Sequence, residues 1–320
     1  VKLYANLAGH ILDAHTYLLP LSEIEVVVDV LLSIGVYLSG GSGFKTSVPT
    51  VFDALLIEAR RKMNNYKYKI IVLSGKGGVG KSFVSSMLAL GLASRGRRVA
   101  VFDADVHGSS IPMLLGVQGE RHYASEKGEI IPVDGPLGLK IVAINLMLDT
   151  PELPVVWRGP LVGRAIVELS ARVDWGEGDY LIVDLPPGTG DVAITIAQVI
   201  PSITGAILVT APNALSEIIV SKAANFASSL HIRLLGIIEN MSYFKCPHCG
   251  RITSIMGRNS GERLAAKYGT TILGKLPLDP SVNEAVDSGI PYLLYKPEGE
   301  VSKAMIEIVD KAINLVENTG

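Results

Sequence analysis

From residue 69 onward the chain alternates short, nearly unbroken apolar runs with longer stretches whose apolar residues recur every three or four positions. The runs at 69–74, 98–103, 139–144, 180–185, 206–210 and 234–239 predict strands, with a shorter one at 271–274. Several end in Asp, Ser or Thr, as parallel strands covered on both faces do. The stretches 82–95, 194–200, 215–230 and 261–267 carry helical spacing between them. This alternation predicts an α/β fold, a doubly wound and mostly parallel sheet with ligands at the carboxyl ends of its strands.

The first 65 residues follow another pattern. Residues 39–43 and 47–49 are turn-forming, and 50–63 read as an amphipathic helix with Phe52, Leu55, Leu56, Ala59 and Met63 on one side. Asn64 and Asn65 break it before the first strand. Residues 1–65 are therefore an appendage and 66–320 the main domain. His10 and His15 share no helical face, which argues against a metal site there.

Composition narrows the class. Among 320 residues 48% are apolar and the formal net charge is −2, which gives no electrostatic case for nucleic acid or an anionic membrane. The longest apolar stretch, 24–38, carries Glu25 and Asp29 and is shorter than the roughly 20 residues of a membrane span. With Asn6, His10 and Asp13 interrupting the first twenty residues, no signal-peptide core is evident, and a cytoplasmic protein is expected. The two cysteines, Cys246 and Cys249, do not make a disulfide framework.

The first predicted strand runs straight into Gly75-Lys76-Gly77-Gly78-Val79-Gly80-Lys81-Ser82, and a predicted helix follows. In that context the segment reads as a phosphate-binding loop for ATP and Mg²⁺. Glycines let successive backbone N–H groups converge on phosphate oxygens, and the helix N-terminus adds positive potential. Lys81 is placed to reach the β- and γ-phosphates, and Ser82 to offer its hydroxyl to Mg²⁺. Asp184 ends the strand 180–185, where a carboxylate holds the metal's water shell. Pro186-Pro187-Gly188-Thr189-Gly190-Asp191 then reads as a switch loop, with the Gly188 N–H as a γ-phosphate sensor. Asp103 and Asp105 leave the second strand's carboxyl end toward the same crevice. The chain contains no Asn-Lys-x-Asp guanine motif.

Cys246-Pro247-His248-Cys249-Gly250 has the form of a metal knuckle. One knuckle supplies two ligands where zinc or an iron–sulfur cluster takes four, so a metal here implies a second chain across a two-fold axis. An iron–sulfur cluster shared by two chains, a zinc-bridged dimer, a disulfide oxidoreductase motif and two ordinary thiols all remain open on these residues alone.

Lys76, a second lysine inside the loop, marks the deviant Walker subgroup that includes MinD, ParA, the arsenite ATPase and the nitrogenase iron protein. Together with Asp103-Ala104-Asp105, the Pro-Pro-Gly-Thr-Gly-Asp loop, the cysteine pair and Trp157-Arg158-Gly159-Pro160, it makes the chain resemble the Mrp/ApbC group of iron–sulfur cluster carrier ATPases from about residue 66 to the C-terminus. Trp175-Gly176, Glu239-Asn240-Met241-Ser242 and Gly274-Lys275-Leu276-Pro277-Leu278-Asp279 add to the likeness. The resemblance implies that Lys76 acts across a homodimer on the partner's nucleotide, that Asp105 orients the attacking water, and that Asp103 sits beside the metal. It also implies that Asn240 contacts adenine with Pro277 nearby, and that Cys246 and Cys249 hold half of a [4Fe–4S] cluster destined for apo iron–sulfur proteins. Departures are Phe83, where the family usually has Thr, and Arg258-Asn259 in a stretch that is usually glycine-rich. Residues 1–65 contain no cysteine, so they do not match the four-cysteine segment of eukaryotic relatives. The alternative is a MinD/ParA-like positioning ATPase, which attaches to membranes through a basic amphipathic C-terminal helix. The charges of 301–316 balance, which favours core packing for that helix.

Overall fold

A computed structural model describes residues 50–106, 108–147, 159–188, 190–212, 214–257 and 259–318, with the backbone alone for 159–160 and 214–219. The expectations for residues 1–49 and for Trp157-Arg158 lie outside the described residues.

Twelve strands are described: β1 (Tyr66–Ser74), β2 (Val99–Asp103), β3 (Tyr123–Ala124), β4 (Ile130–Ile131), β5 (Val133–Asp134), β6 (Lys140–Ala143), β7 (Gly178–Asp184), β8 (Gly205–Thr210), β9 (Leu234–Glu239), β10 (Phe244–Lys245), β11 (Ile252–Thr253) and β12 (Ile272–Lys275). The helices are α1 (Val51–Met63), α2 (Lys81–Ser94), α3 (Ile111–Leu114), α4 (Gly159–Arg172), α5 (Asp191–Val199), α6 (Ala214–Ser229), α7 (Ser260–Tyr268), α8 (Ser281–Asp287), α9 (Tyr292–Tyr295) and α10 (Glu300–Glu317). Eight strands form one sheet in the order β12-β9-β8-β1-β7-β2-β6-β5. All its pairings are parallel except that of β5 with β6. The doubly wound, mostly parallel sheet expected from the sequence is the observed fold.

β1 is central because both its faces are apolar: Ile70, Ile71, Val72 and Leu73 are buried to within 1%. Its neighbours β7 and β8 are themselves consecutive strands, so the chain crosses β1 between them. That crossing makes a topological switch point, where the carboxyl ends of an open α/β sheet form a crevice. The strand ends gather there in register, with Val72 beside Asp184, Asp103 beside Asp184, and Thr210 beside Glu239.

Thr50 and Asp53 start α1 as a reciprocal cap. The Thr50 N–H donates to Asp53 Oδ2 at 2.8 Å, and the Asp53 N–H donates to Thr50 Oγ1 at 3.2 Å. The compact body that contains the sheet begins at Glu58, within this helix. α2 is buried on almost every side. A methyl group at Gly91 would lie 2.6 Å from Val309 of α10, so that glycine sets how closely the two helices approach. Val301, Met305, Ile308, Val309, Ala312 and Val316 of α10 are all buried. The apolar face expected at the C-terminus is therefore core, as its balanced charges suggested. None of the described helices is long and apolar enough to cross a membrane.

Candidate nucleotide site and cysteine hairpin

The phosphate loop joins β1 to α2 with Gly80 at φ 77°, in the left-handed region, immediately before the first helical turn. A side chain there would be strained and would also collide with the Asn240 amide. Pro187 of the switch loop packs 3.9 Å from where a methyl group on Gly77 would stand, so the two loops face each other.

Asp184 is fully buried and surrounded by donors. Lys81 Nζ lies 2.6 Å from its Oδ2, the Ser82 hydroxyl donates to the same oxygen at 2.6 Å, and the Ser85 hydroxyl donates to Oδ1 at 2.6 Å. The site thus holds a hydroxyl and a buried carboxylate, both hard oxygen donors. That set suits Mg²⁺, which keeps several of its waters and takes few protein ligands. Ser82 and Asp184 are the two oxygen donors brought together here that could hold the ion. Ser85 was not singled out from the sequence, since a serine one turn into a helix carries no local signal of such a contact.

Asp103 is also buried, but its oxygens are occupied. Oδ1 accepts the Asp105 N–H at 3.1 Å, and Oδ2 accepts the Ser109 hydroxyl at 2.7 Å and the Ile111 N–H at 3.2 Å. Burial first, and the Asp184 charge second, push its carboxyl well above the ordinary range, against these three hydrogen bonds. In this arrangement Asp103 shapes the loop that carries Asp105. Asp105 itself is half-buried, and its Oδ1 accepts the Gly108 N–H at 3.2 Å.

Two other expected contacts are engaged within the protein. The Gly188 N–H donates to the Ser74 carbonyl at 3.1 Å, so reaching a γ-phosphate would require that bond to open. Asn240 is buried and donates its amide to the Val79 carbonyl at 2.9 Å, leaving a second N–H and Oδ1 on the amide. Pro277 is buried beside it, flanked by the Leu276 N–H on Glu239 O at 2.9 Å and the Leu278 N–H on Tyr243 O at 2.7 Å. Lys76 is half-buried, and among the described residues no carboxylate pairs with its ammonium.

The cysteines sit at the tip of the β10–β11 hairpin. The Cys246 N–H donates to the Arg251 carbonyl at 3.0 Å, and the Gly250 N–H donates to the Cys246 carbonyl at 2.9 Å. This wraps the turn so that the Cys249 and His248 N–H groups point at the Cys246 sulfur. Cys249 first and His248 second hold that thiol below the ordinary cysteine range. Cys249 is exposed and neither cysteine is in a disulfide. Ile252, Ile255 and Met256, next to the knuckle, are exposed by 63%, 55% and 42%. Among the described residues no cluster of three or more His, Cys, Asp or Glu could hold a metal ion.

Comparison with known proteins accords with this geometry. Residues 65–313 match the model of the ParA family, described as NUBPL iron-transfer P-loop NTPase. The chain belongs to this family. It is accordingly a P-loop ATPase of the iron-transfer group. An iron–sulfur cluster carrier protein of Saccharolobus solfataricus is 48% identical over 83% of this chain and 90% of its own length. One from Methanocaldococcus jannaschii is 46% identical over 79% and 87%. Among solved structures, a nucleotide-binding protein of Archaeoglobus fulgidus in complex with ADP matches with a TM-score of 0.65 and 36% identity, over 74% of this chain and 92% of that one. The septum site-determining protein MinD of Pyrococcus horikoshii shares the fold, with a TM-score of 0.58 at 23% identity over 79% and 98%.

Proposed function

We propose that the chain is an ATP-dependent carrier of a [4Fe–4S] cluster, held between two copies and handed to apo iron–sulfur proteins. The observation that carries this reading is the hairpin. It presents two thiols, one already biased toward thiolate by backbone N–H groups, on a turn followed by the exposed apolar residues Ile252, Ile255 and Met256. These are the chain's two cysteines, so a four-thiolate cluster needs a second copy. Relatives named iron–sulfur cluster carrier protein support the same cargo. A relative from Dictyostelium discoideum, 40% identical over 78% of this chain, is named a cytosolic iron–sulfur cluster assembly factor, which favours a cytoplasmic setting.

In this reading residues 66–320 are the ATPase domain and 1–65 an appendage to it. The backbone N–H groups of Gly75, Gly77, Gly78, Val79 and Gly80 cradle the ATP phosphates, with Lys81 on the β- and γ-oxygens. Mg²⁺ supplies neutralising charge to those oxygens. Ser82 and the buried Asp184 hold it, and Asp103 fixes the loop beside it. Asp105 orients the attacking water, and Asn240 reads the adenine edge. Lys76, whose ammonium pairs with no carboxylate among the described residues, reaches the nucleotide of the partner subunit.

Anaerobic reconstitution tests the cargo, with iron and acid-labile sulfide measured against protein and mass measured by light scattering. One [4Fe–4S] per dimer is expected. Cys246→Ser and Cys249→Ser should each lose the cluster and keep ATP binding. A full cluster on each monomer contradicts the shared site. Stoichiometric zinc without iron uptake replaces it with a structural dimer.

A further inference from the structure

Glu239, the last residue of β9, is completely buried and has so far been given no part. Its Oε1 accepts the Ser242 hydroxyl at 2.5 Å. Its Oε2 accepts the Gly261 N–H at 2.7 Å and the Ser260 hydroxyl at 3.2 Å. Ser242 and Ser260 are the two ends of the segment that contains the cysteine hairpin. A single carboxylate therefore closes both ends of that segment.

The backbone on either side is strained. Met241 has φ 55° and Asn259 has φ 59°, both in the left-handed region. Asn tolerates that region, whereas for Met it costs about 1–2 kcal/mol. Such residues persist where their surroundings over-determine them, and they concentrate at switches. Here each flanks a serine on Glu239: the Ser242 hydroxyl bonds it alone, and the Ser260 hydroxyl shares its proton between Glu239 and the Ala211 carbonyl, both at 3.2 Å. One residue on from Glu239, Asn240 reaches the opposite way and donates to Val79 in the phosphate loop.

We infer that Glu239 is a positioning residue that couples the nucleotide to the cysteine hairpin. It ties the left-handed residues at Met241 and Asn259 to one carboxylate, so that a movement of Asn240 against Val79 and Gly80 reaches the cysteine hairpin. The Ser242 N–H on Leu276 O and the Leu278 N–H on Tyr243 O anchor the near end as well, so Glu239 is the element that joins the two ends, and without it the thiols would respond less to the phosphate loop. A buried carboxylate with three donors, and with the Lys275 ammonium 3.9 Å from its Oε1, is stiff because each broken hydrogen bond would leave a buried polar atom unpartnered. This inference rests on the nucleotide site proposed above but not on the identity of the metal.

Because Cys246 and Cys249 are the chain's only thiols, alkylation kinetics of the intact protein report on the hairpin alone. The experiment compares iodoacetamide reactivity of the metal-free full chain with and without a non-hydrolysable ATP analogue, whose binding is measured separately. In the wild type, the analogue should change the rate by about fivefold or more, the low end of ordinary coupling between sites. In Glu239→Gln, and in the double variant Ser242→Ala with Ser260→Ala, the analogue should still bind while the two rates converge. Ser242→Thr, which keeps the hydroxyl, should retain the response. If Glu239→Gln does not fold, the serine variants decide. Wild-type binding without a thiol response overturns the coupling alone, as does a full response in the double variant. Failure of the wild type to bind the analogue overturns the nucleotide site and the coupling with it.

Discussion

Asp184 shows how much of a site hangs on one side chain: Lys81, Ser82 and Ser85 all converge on it at 2.6 Å. Ser85→Ala removes the donor to the buried Oδ1, and an unpartnered buried acceptor costs about 1–3 kcal/mol. Thermal unfolding should show a melting point several degrees lower, and an unchanged one would mean that Asp184 is held by Lys81 and Ser82 alone. Asp105→Asn is expected to behave differently. Among the described residues its side chain bonds only the nearby Gly108 N–H, so the fold should be indifferent. Nucleotide should bind normally while steady-state turnover falls on the order of a hundredfold or more. Near-normal turnover would remove Asp105 from the mechanism. Residues of the phosphate loop were legible because their chemistry depends on near neighbours in the sequence. Ser85, Ser109 and Glu239 were not, because each acquires its role from a partner brought in by the sheet or by a loop closure. A buried serine or glutamate has no spacing that announces this.

The strands around the site were legible to within three residues at each end, since a strand buried on both faces is a continuous apolar run whatever its neighbours. The two-residue strands β3, β4, β5, β10 and β11, and the short helices α3, α8 and α9, were not. They have too few residues to express a period and are held by tertiary contacts. The longer α4, which opens with Gly159-Pro160, was not named either. α10 was read correctly from its stripe, but the stripe did not reveal what fastens its end. The Arg97 guanidinium donates to Glu317 at 2.9 and 2.8 Å, and the Tyr180 hydroxyl donates to it at 2.9 Å. Arg97 first and Tyr180 after it hold the Glu317 carboxyl below its ordinary value, against the opposing effect of burial. A group depressed in the folded state stabilises above its unfolded pKa and loses that contribution as pH falls through its folded one. Solvent screening limits the effect to about 1 kcal/mol at most. The melting-point gap between wild type and Glu317→Gln should therefore be constant above about pH 5 and close as pH drops below about 4. A gap that persists in acid would mean that packing, not charge, fastens the helix.

At the scale of the whole molecule the prediction concerns two chains. If Lys76 serves the partner's nucleotide, Lys76→Ala and Asp105→Asn homodimers should each be nearly inactive. Mixing them should restore part of the ATPase rate, because one site of each heterodimer then has an intact Asp105 and receives Lys76 from across the interface. No recovery despite proven subunit exchange would place the lysine in its own site. The contact between α2 and α10 carries a further implication for how such a molecule comes into being. The helix that follows the phosphate loop has its covering partner more than two hundred residues downstream, at Val309. At a synthesis rate of roughly 5–20 residues per second, that helix waits on the order of ten to forty seconds on the ribosome with an apolar flank uncovered. That flank is thus covered only after the thiols have already emerged. A truncated product lacking the final helix would carry the cysteine hairpin but not the finished engine, and would offer chaperones and proteases an open seam by which to recognise it.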